Sequence, residues 1–214
     1  MDEQTLQLER VISAGEPAFA ELLAIYTQAH PASERKSPSL LASMIQRPEY
    51  QFLAAAEAGR IVGFSIVLCF PGSDACLLEY MAVERSQRGR GVGQRLFSMT
   101  RSWDALEGRF LIAEVDSDKG TSPDRADRTR RKGFYRRLGC REVAGLNYLM
   151  PPVSGAAPPT MDLLVWRAEM PPSIPKLRLR GWLEAIYTQV YSQPATDPRI
   201  DFMLQGLPGE VDLI

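Results

Sequence analysis

The sequence is poor in histidine and cysteine. Its 214 residues include one histidine, His30, and three cysteines, Cys69, Cys76 and Cys140. A single histidine weakens any metal site or catalytic arrangement that depends on this residue, and no Ser/His/Asp triad can be built securely around it. The cysteines have neither an even count nor C-x-x-C spacing, so they encode neither a disulfide framework nor a zinc site. We therefore expect chemistry without a metal.

The sequence also lacks a charge excess and long apolar runs. Its 25 Lys+Arg residues nearly balance 26 Asp+Glu residues, and the formal net charge of -1 argues against a dedicated nucleic-acid binder. The longest apolar run, residues 61–70, falls short of the roughly 20 residues that span a bilayer. Residues 1–4 lack the basic start of a secretion signal. The expectation is a cytoplasmic protein without a membrane partner.

The composition is that of a globular protein, with 45% hydrophobic and 24% charged residues, which excludes disordered, collagen-like and coiled-coil classes. The length corresponds to one or two domains. We expect a main domain over residues 1–169, a proline-rich linker over 170–177 and, over 178–214, a C-terminal helix with an irregular tail. This last part would pack on the domain or on a partner subunit, which makes a homodimer plausible.

The spacing of apolar residues predicts alternating helices and strands. Helices are expected at residues 16–29, 39–46, 91–106 and 122–138, and strands at 52–56, 61–70, 75–83, 110–115, 142–149 and 163–166. Ser122 and Pro123 are typical of a helix start, and Gly139 of a helix stop. A loop rich in proline, glycine and alanine, Pro151–Thr160, separates the last two strands. The order strand, glycine-rich turn, helix, strand over residues 75–115 predicts a crossover between neighbouring parallel strands.

Three glycines, at positions 89, 91 and 93, lie between a predicted strand and a predicted helix. Glycine at alternate positions lets the main chain take unusual dihedral angles and lets a ligand approach it closely. Successive N–H groups there can converge on an anion at the positive end of the helix. Residues 85–101 contain five arginines and no acidic residue, so the segment predicts a site for a phosphorylated ligand. A tight solvated turn beside a charged helix face is the alternative.

Two common phosphate-binding motifs are excluded by the residues themselves. A P-loop requires Gly-Lys-Ser/Thr after four spacer residues, and the sequence contains no such run. The dinucleotide motif G-x-G-x-x-G would need glycine where Gln94 or Leu96 stands. The phosphorylated ligand therefore belongs to another class.

Residues 88–93, Arg-Gly-Arg-Gly-Val-Gly, resemble the Q/R-x-x-G-x-G/A signature of the acyl-CoA site in GCN5-related N-acetyltransferases (GNAT). Residues 134–140, Phe-Tyr-Arg-Arg-Leu-Gly-Cys, resemble the F-Y-x-x-L-G-F helix end of the same family, with Cys140 in place of the usual Phe. The order of elements agrees with the family from about residue 5 to residue 168. One departure is Arg128, which stands where many relatives have an Asn that helps to hold the cofactor.

The resemblance implies an α/β (α+β) fold with a mixed, mostly antiparallel central sheet of six to seven strands flanked by helices, here with an added C-terminal helix. It also implies direct transfer of an acetyl group from acetyl-CoA to an amine of an unidentified small molecule or peptide, within a ternary complex and without a metal. A non-catalytic acyl-CoA-binding sensor or interaction module is the alternative function.

By the same resemblance, the cofactor site has two parts. Main-chain N–H groups of residues 88–93, with two arginine side chains, would neutralise the pyrophosphate. An N–H group near the end of the preceding strand would polarise the thioester carbonyl. The expected cofactor-binding residues are Met81, Ala82, Val83, Arg88, Gly89, Arg90, Gly91, Val92, Gly93 and Arg128, the last through a phosphate contact in place of the missing Asn.

Glu79 and Tyr135 are the catalytic candidates. Glu79 lies inside an apolar strand, where burial raises the pKa of a carboxylate and suits it to deprotonate the amine. A carboxylate that binds the substrate ammonium or pairs with an arginine is the alternative, and Glu114 on the neighbouring strand is the reserve base. Tyr135 matches the family's general acid, which protonates the departing sulfur. A tyrosine packed at a helix end is the alternative for this residue.

The resemblance also places the acceptor beside the loop after the first helix. His30, Glu34 and Arg35 are therefore expected to contact the substrate, together with Glu114, although simple exposure is the alternative for the loop residues. Residues 125–141 carry eight basic residues and one acid, which could contact nucleic acid. Because aromatic residues are sparse there, a solvated helix face or a cofactor-phosphate contact is the preferred interpretation.

Overall fold

The computed structural model describes residues 6–152 and 160–214. Residues 1–4 and most of the predicted loop Pro151–Thr160 lie outside the described residues. The helices are α1 Pro17–Ala29, α2 Pro38–Met44, α3 Val92–Arg101, α4 Arg125–Arg137, α5 Lys176–Gln189 and α6 Pro198–Leu204. The strands are β1 Gln7–Val11, β2 Tyr50–Glu57, β3 Arg60–Cys69, β4 Ala75–Val83, β5 Phe110–Asp116, β6 Arg141–Glu142, β7 Met161–Trp166, β8 Ser173–Pro175 and β9 Glu210–Asp212.

The central sheet has the strand order β1-β2-β3-β4-β5-β7-β6, and β8 pairs with β9 in a second small sheet of the described residues. The pairs β1–β2, β2–β3, β5–β7 and β6–β7 are antiparallel. β4 and β5 run parallel, with Ala75 opposite Phe110, which confirms the crossover predicted through the glycine-rich segment. The predicted α/β fold with a mostly antiparallel sheet is therefore confirmed.

The chain forms two compact units, and β4 contributes to both. The first unit comprises the residues up to Pro71 and Leu78–Glu107. Its hairpin of β2 and β3 is almost entirely buried, because its small, aliphatic and aromatic residues can pack on both faces of the sheet. Val92 and Leu96 on α3 belong to a buried cluster with Val62 on β3. This packing holds the first turn of α3 next to the end of β4.

The second unit comprises Gly72–Leu77 and Gly108–Ile214. Trp182 on α5 is buried, and its ring lies 4.8 Å from the ring of Phe110 on β5. The Trp182 Nε1–H group donates to Asp74 Oδ1 at 3.0 Å. The C-terminal helix thus belongs to the core of this unit, and residues 170–177, predicted as a linker, contain β8 and the start of α5.

Two predicted helix boundaries are wrong for local reasons. α3 ends before the predicted residue 106, because Trp103 is extended with φ -70° and ψ 135°. α4 begins at Arg125 and not at residue 122, because the Ser122 hydroxyl donates to the Asp124 carboxylate instead of capping the helix. At the other end of α4, Gly139 takes φ +89° and ends the helical segment as predicted.

Two further predictions, both in the second unit, are wrong. The strand predicted over residues 142–149 stops at Glu142, because Gly145 takes φ +71° and turns the chain. The C-terminal tail is not irregular, since it forms α6 and β9. The Asp197 side chain caps α6 by accepting from the Arg199 N–H group at 3.0 Å, which is a helix start that the scattered prolines and glycines concealed.

Candidate active site

The loop between β4 and α3 has the conformation that its glycines predict. Gly89 and Gly91 have φ values of +80° and +78°, and a Cβ atom at either position would meet no atom within 4 Å. The backbone conformation, and not crowding, therefore requires glycine at these two positions. Gly91 is the last residue before α3, and no side chain caps the helix there.

The first turn of α3 presents main-chain donors. The Arg95 N–H group donates to Gly91 O at 3.1 Å, so helix geometry leaves the N–H groups of residues 91–94 without intrahelical partners. Arg88 and Arg90 beside them are exposed, and Arg90 Nη1 donates to Gln87 Oε1 at 2.6 Å. Open space, a positive helix end and two flanking guanidinium groups fit an anionic ligand such as a pyrophosphate.

The remaining predicted cofactor residues of the first unit have core side chains. Val92 is buried, and Met81 and Val83 pack against the same apolar cluster. Ala82 is also buried, and its carbonyl oxygen lies 3.0 Å from where a Cβ atom on Gly63 would be. The side chains of Val92 and Ala82 are therefore closed to a ligand, which leaves their main-chain groups, while Met81 and Val83 are partly buried.

Glu79, the predicted base, lies at the centre of a buried charged and aromatic cluster in the first unit. Its side chain is 5% exposed and forms an ion pair with Lys36 from the loop after α1. Lys36 Nζ also lies 5.5 Å from the centre of the Tyr80 ring, within the range of a cation–π interaction. Glu79 and Tyr80 thus make a position suited to an ammonium group, and the Lys36 side chain occupies it.

Aromatic rings enclose this position. The Tyr26 ring lies 5.0 Å from the Tyr80 ring, and the His30 ring lies 5.2 Å and 5.1 Å from these two. The Tyr80 hydroxyl donates to Glu34 O at 3.2 Å, and the Lys36 N–H group donates to the Tyr26 hydroxyl oxygen at 2.7 Å. These two hydrogen bonds fix the loop after α1 over the cluster.

The tyrosines of this cluster stay protonated at neutral pH. Burial, followed by the negative charge of Glu79, raises the pKa of Tyr80 and of Tyr50 far above the usual value. Burial also raises the pKa of Tyr26. Their hydroxyl groups can therefore donate hydrogen bonds but cannot act as tyrosinate bases.

The three loop residues predicted to contact substrate lie in or beside this cluster. The His30 ring packs on Tyr80, and Glu34 contributes its main-chain oxygen while its side chain is exposed. Arg35 Nη1 donates to Thr27 O at 3.3 Å and so caps the end of α1. Sequence reasoning missed Lys36, because nothing in its spacing distinguishes it from the solvated charges around it.

Glu114, the reserve base, has its own tyrosine partners in the second unit. Tyr191 Oη donates to the Glu114 carboxylate, at 3.0 Å from each oxygen, and the Tyr148 hydroxyl also donates to it. Burial, followed by the charge of Glu114, raises the pKa of Tyr148 well above its usual value. Tyr191 lies two residues after the end of α5, so the C-terminal segment supplies a partner that the sequence analysis did not identify.

Tyr135 and Arg128 lie on α4. Tyr135 is buried, and burial raises the pKa of its hydroxyl above the usual value, which keeps the phenol protonated as a proton donor requires. Arg128 contacts the Asp124 carboxylate at 3.0 Å and Ser117 O at 3.4 Å, with its side chain 19% exposed. The guanidinium of Arg128 thus already has partners within its own unit. This weakens the prediction that Arg128 binds a cofactor phosphate.

The basic segment 125–141 is largely neutralised by carboxylates of the second unit. Five of its eight basic side chains form ion pairs: Arg128 with Asp124, Arg130 with Asp127, Arg131 with Asp116, Lys132 with Asp118, Glu142 and Asp162, and Arg136 with Glu142. Paired cations release few counterions from a polynucleotide. The structure thus favours a solvated and internally paired helix over a nucleic-acid surface.

Over residues 6–152 and 160–214, the structure bears on metal binding and on membrane insertion. No group of three or more His, Cys, Asp or Glu side chains in these ranges could hold a metal ion. Of the helices in these ranges, none combines the length and the apolar character needed to cross a bilayer. The three cysteines are buried, and none of them is in a disulfide bond.

Residues 48–142 match the family model of the acetyltransferase (GNAT) domain. The matched range includes Glu79, the glycine loop before α3 and Tyr135. The match and the fold make this chain similar to the GNAT acetyltransferases over residues 48–142, a little under half of its length.

Solved structures share the fold at low identity. A protein from Bacteroides thetaiotaomicron assigned to the GNAT acetyltransferase family has a TM-score of 0.70 at 18% identity, over 86% of this chain and 98% of that one. The ribosomal-protein-S18-alanine N-acetyltransferase from Escherichia coli has a TM-score of 0.54 at 18% identity, over 78% and 96%. An aminoglycoside 6'-N-acetyltransferase complexed with coenzyme A has a TM-score of 0.57 at 19% identity, over 78% and 99%. Among curated protein sequences, none matches this chain.

Proposed function

We propose that the protein is an N-acetyltransferase that moves the acetyl group of acetyl-CoA to an amine of a small molecule or peptide by direct attack. The observation that carries this proposal is the loop before α3, where Gly89 and Gly91 have positive φ and the helix start lacks a side-chain cap, inside a GNAT domain. Main-chain N–H groups in this arrangement bind phosphate oxygens, as the pyrophosphate of coenzyme A requires.

The donor would be held chiefly by the main chain. Residues 88–93 supply N–H groups for the pyrophosphate, and Arg88 and Arg90 supply positive charge at its edge. A main-chain N–H group within Met81–Val83 would stabilise the negative charge that develops on the thioester oxygen. Acetyl-CoA, when bound, supplies the activated acetyl group. Arg128 is a weaker candidate here because it already has partners in its own unit.

Glu79 would take a proton from the acceptor amine. Amines are protonated at neutral pH, and the Glu79 carboxylate beside the Tyr80 ring is suited to bind the ammonium form, as its contact with Lys36 illustrates. Proton transfer to the carboxylate then produces the neutral amine that attacks the carbonyl. Glu114, hydrogen-bonded to two tyrosines, stays the reserve base and a predicted substrate contact.

Replacing Glu79 with glutamine should lower kcat for amine acetylation about a hundredfold, because the amide cannot accept a proton. The dissociation constant of acetyl-CoA should change little. The measurement is thiol release from acetyl-CoA with a panel of amines, combined with calorimetry of donor binding. Glu49→Gln, at a carboxylate paired with Arg47, is the control and should keep its activity. An unchanged kcat in Glu79→Gln would move the base assignment to Glu114.

Replacing Tyr135 with phenylalanine should lower kcat about tenfold, because the departing thiolate loses its proton donor. A phenol is protonated at neutral pH, and burial raises the pKa of Tyr135 further above its usual value. Calorimetry should show acetyl-CoA affinity within twofold of the wild type, and the melting temperature should confirm that the core of α4 is intact. A wild-type rate in this variant would remove the acid role and leave Tyr135 as a packing residue.

The second candidate function is a non-catalytic acyl-CoA-binding sensor or interaction module. Both functions require donor binding, but only the enzyme releases free thiol in the presence of an amine. The cluster around Glu79 favours catalysis, because a carboxylate this deeply buried beside an ammonium position has no role in holding the donor. The acceptor, the cytoplasmic location and the homodimer stay predictions.

A further inference from the structure

The Lys36 side chain is held against the carboxylate that is proposed as the base. The main-chain N–H group of Lys36 is fixed by the Tyr26 hydroxyl at 2.7 Å, and its side chain, 21% exposed, turns inward to the carboxylate of Glu79. Its Nζ atom also lies 5.5 Å from the centre of the Tyr80 ring. A primary ammonium on an unbranched alkyl chain is thus bound by the group proposed as the base.

We propose that Lys36 is itself an acceptor, and that the protein acetylates this side chain in its own chain when acetyl-CoA is bound. This inference rests on the proposed function, because it uses the same donor and the same base. It also names the class of external acceptor that the position fits, which is a primary alkylamine such as a lysine side chain.

The chemistry is that of amide formation at Nζ. Glu79 accepts one proton from the Lys36 ammonium, and the neutral Nζ atom forms a bond to the acetyl carbon. The carbon–sulfur bond breaks as the amide forms, and Nζ loses its second proton. One of the two protons ends on the sulfur of the free thiol, and the other goes to solvent. No oxidant, reductant or further reactant is needed.

The other lysines provide an internal comparison. The sequence has four lysines, at positions 36, 119, 132 and 176. Lys119 has a side chain 65% exposed, against 21% for Lys36, and both ammonium groups are paired with carboxylates, so uncatalysed acetylation by dissolved acetyl-CoA should not favour Lys36. Lys132 is 4% exposed within its carboxylate cluster, and Lys176 Nζ donates to Leu207 O at 2.7 Å. Preferential modification of Lys36 is therefore a sign of catalysis.

The test is peptide mass spectrometry of the full chain after incubation with acetyl-CoA. We expect one acetyl group on Lys36, formed at a first-order rate that does not depend on protein concentration, and at least tenfold faster than on Lys119. Glu79→Gln should lower the rate at Lys36 at least tenfold and leave Lys119 unchanged. Lys36→Arg, which keeps the positive charge, should remove the modification and still bind acetyl-CoA in calorimetry.

Three results would overturn the proposal. Unmodified Lys36 in a protein that acetylates free amines would refute self-acetylation alone and leave the proposed function standing. Equal modification of Lys36 and Lys119, insensitive to Glu79→Gln, would show uncatalysed chemistry. Absence of acetyl-CoA binding in calorimetry would overturn both the proposed function and this inference.

A donor-free experiment tests the ammonium position separately. Lys36→Ala should remove the internal occupant, whose tethering gives it a millimolar effective concentration. Calorimetric titration of this variant with n-butylamine at neutral pH should show binding at least tenfold tighter than in the wild type. The double variant Lys36→Ala/Glu79→Gln should lose this gain. Equal affinity in the wild type and Lys36→Ala would show that Lys36 does not occupy an amine position.

Discussion

Replacing Gly91 with aspartate should abolish acetyl-CoA binding, with a loss of affinity of at least about a thousandfold, while the protein stays folded. The new carboxylate would stand at the N-terminus of α3. Its oxygen could accept hydrogen bonds from the same helix N–H groups that would bind a phosphate. It would also place a negative charge against the pyrophosphate, and like charges in contact cost several kcal/mol. The measurement is calorimetry with acetyl-CoA, with circular dichroism to confirm the fold.

The matched control is Gly59→Asp. Gly59 lies in the turn between β2 and β3 with φ +75°, and a Cβ atom there would meet no atom within 4 Å. The φ value is close to that of Gly91, +78°, so the two substitutions should impose similar backbone strain, but the turn carries no predicted ligand. Gly59→Asp should therefore bind acetyl-CoA as the wild type does. Binding by Gly91→Asp within tenfold of the wild type would refute the loop as the donor site.

The part of the site that could be predicted from sequence is the part made by the main chain. The bounds of β4 agree with the predicted strand, 75–83, because a run of apolar residues between turn signals has few alternative conformations. Gly89 and Gly91 have the positive φ values that their spacing indicates. Neighbouring residues determine such features, so a single sequence is enough to predict them.

The contacts made between distant segments could not be predicted. Lys36 pairs with Glu79 although they are 43 positions apart, and Tyr191 reaches Glu114 over 77 positions. Each pair depends on where the fold places a loop. The periodicity of a segment does not indicate which distant segment it will contact. The strand predicted over residues 142–149 was too long for a related reason, because the extent of β6 is set by pairing with β7 and by the turn at Gly145.

The ion pair between Glu79 and Lys36 bears directly on the choice between base and binding group. A buried carboxylate without a partner is costly, and the Lys36 ammonium offsets that cost in the resting protein. An acceptor amine that replaces Lys36 would preserve the charge balance of the cluster. In the proposed mechanism, binding of the ammonium and removal of its proton would be successive steps at one carboxylate. The two roles that the sequence left as alternatives for Glu79 are compatible.

A second buried charge cluster, in the other unit, has a structural role. Lys132 Nζ lies 2.6 Å from Asp162, 2.8 Å from Glu142 and 3.2 Å from Asp118, and its side chain is 4% exposed. Lys119 contacts Glu142 at 2.7 Å and Asp162 at 3.2 Å. The cluster joins α4 to β6 and β7, so it anchors the helix that carries Tyr135.

Replacing Lys132 with methionine should destabilise the protein by about 3–5 kcal/mol at neutral pH, because buried carboxylates lose their principal counter-charge. This is a large part of the stability of a typical domain. The measurement is the free energy of unfolding from urea denaturation. Arg130→Met is the control, since Arg130 and its partner Asp127 are 73% and 67% exposed, and such surface pairs contribute about 0–1 kcal/mol.

The pH dependence of this effect has a definite sign. Burial alone would raise the pKa values of Asp162 and Glu142. Hydrogen bonds outweigh this effect and hold both pKa values below the usual range. The principal donor to Asp162 is Lys132, and the principal donors to Glu142 are Lys119 and Lys132. Stability from these carboxylates is therefore present above their unfolded-state pKa values, near 4, and is lost as the pH falls through the lower folded-state values. In Lys132→Met the carboxylates can take up protons instead, so the stability difference from the wild type should shrink between pH 7 and about pH 3. A difference that stays constant over this range would show that Lys132 acts through packing and not through charge.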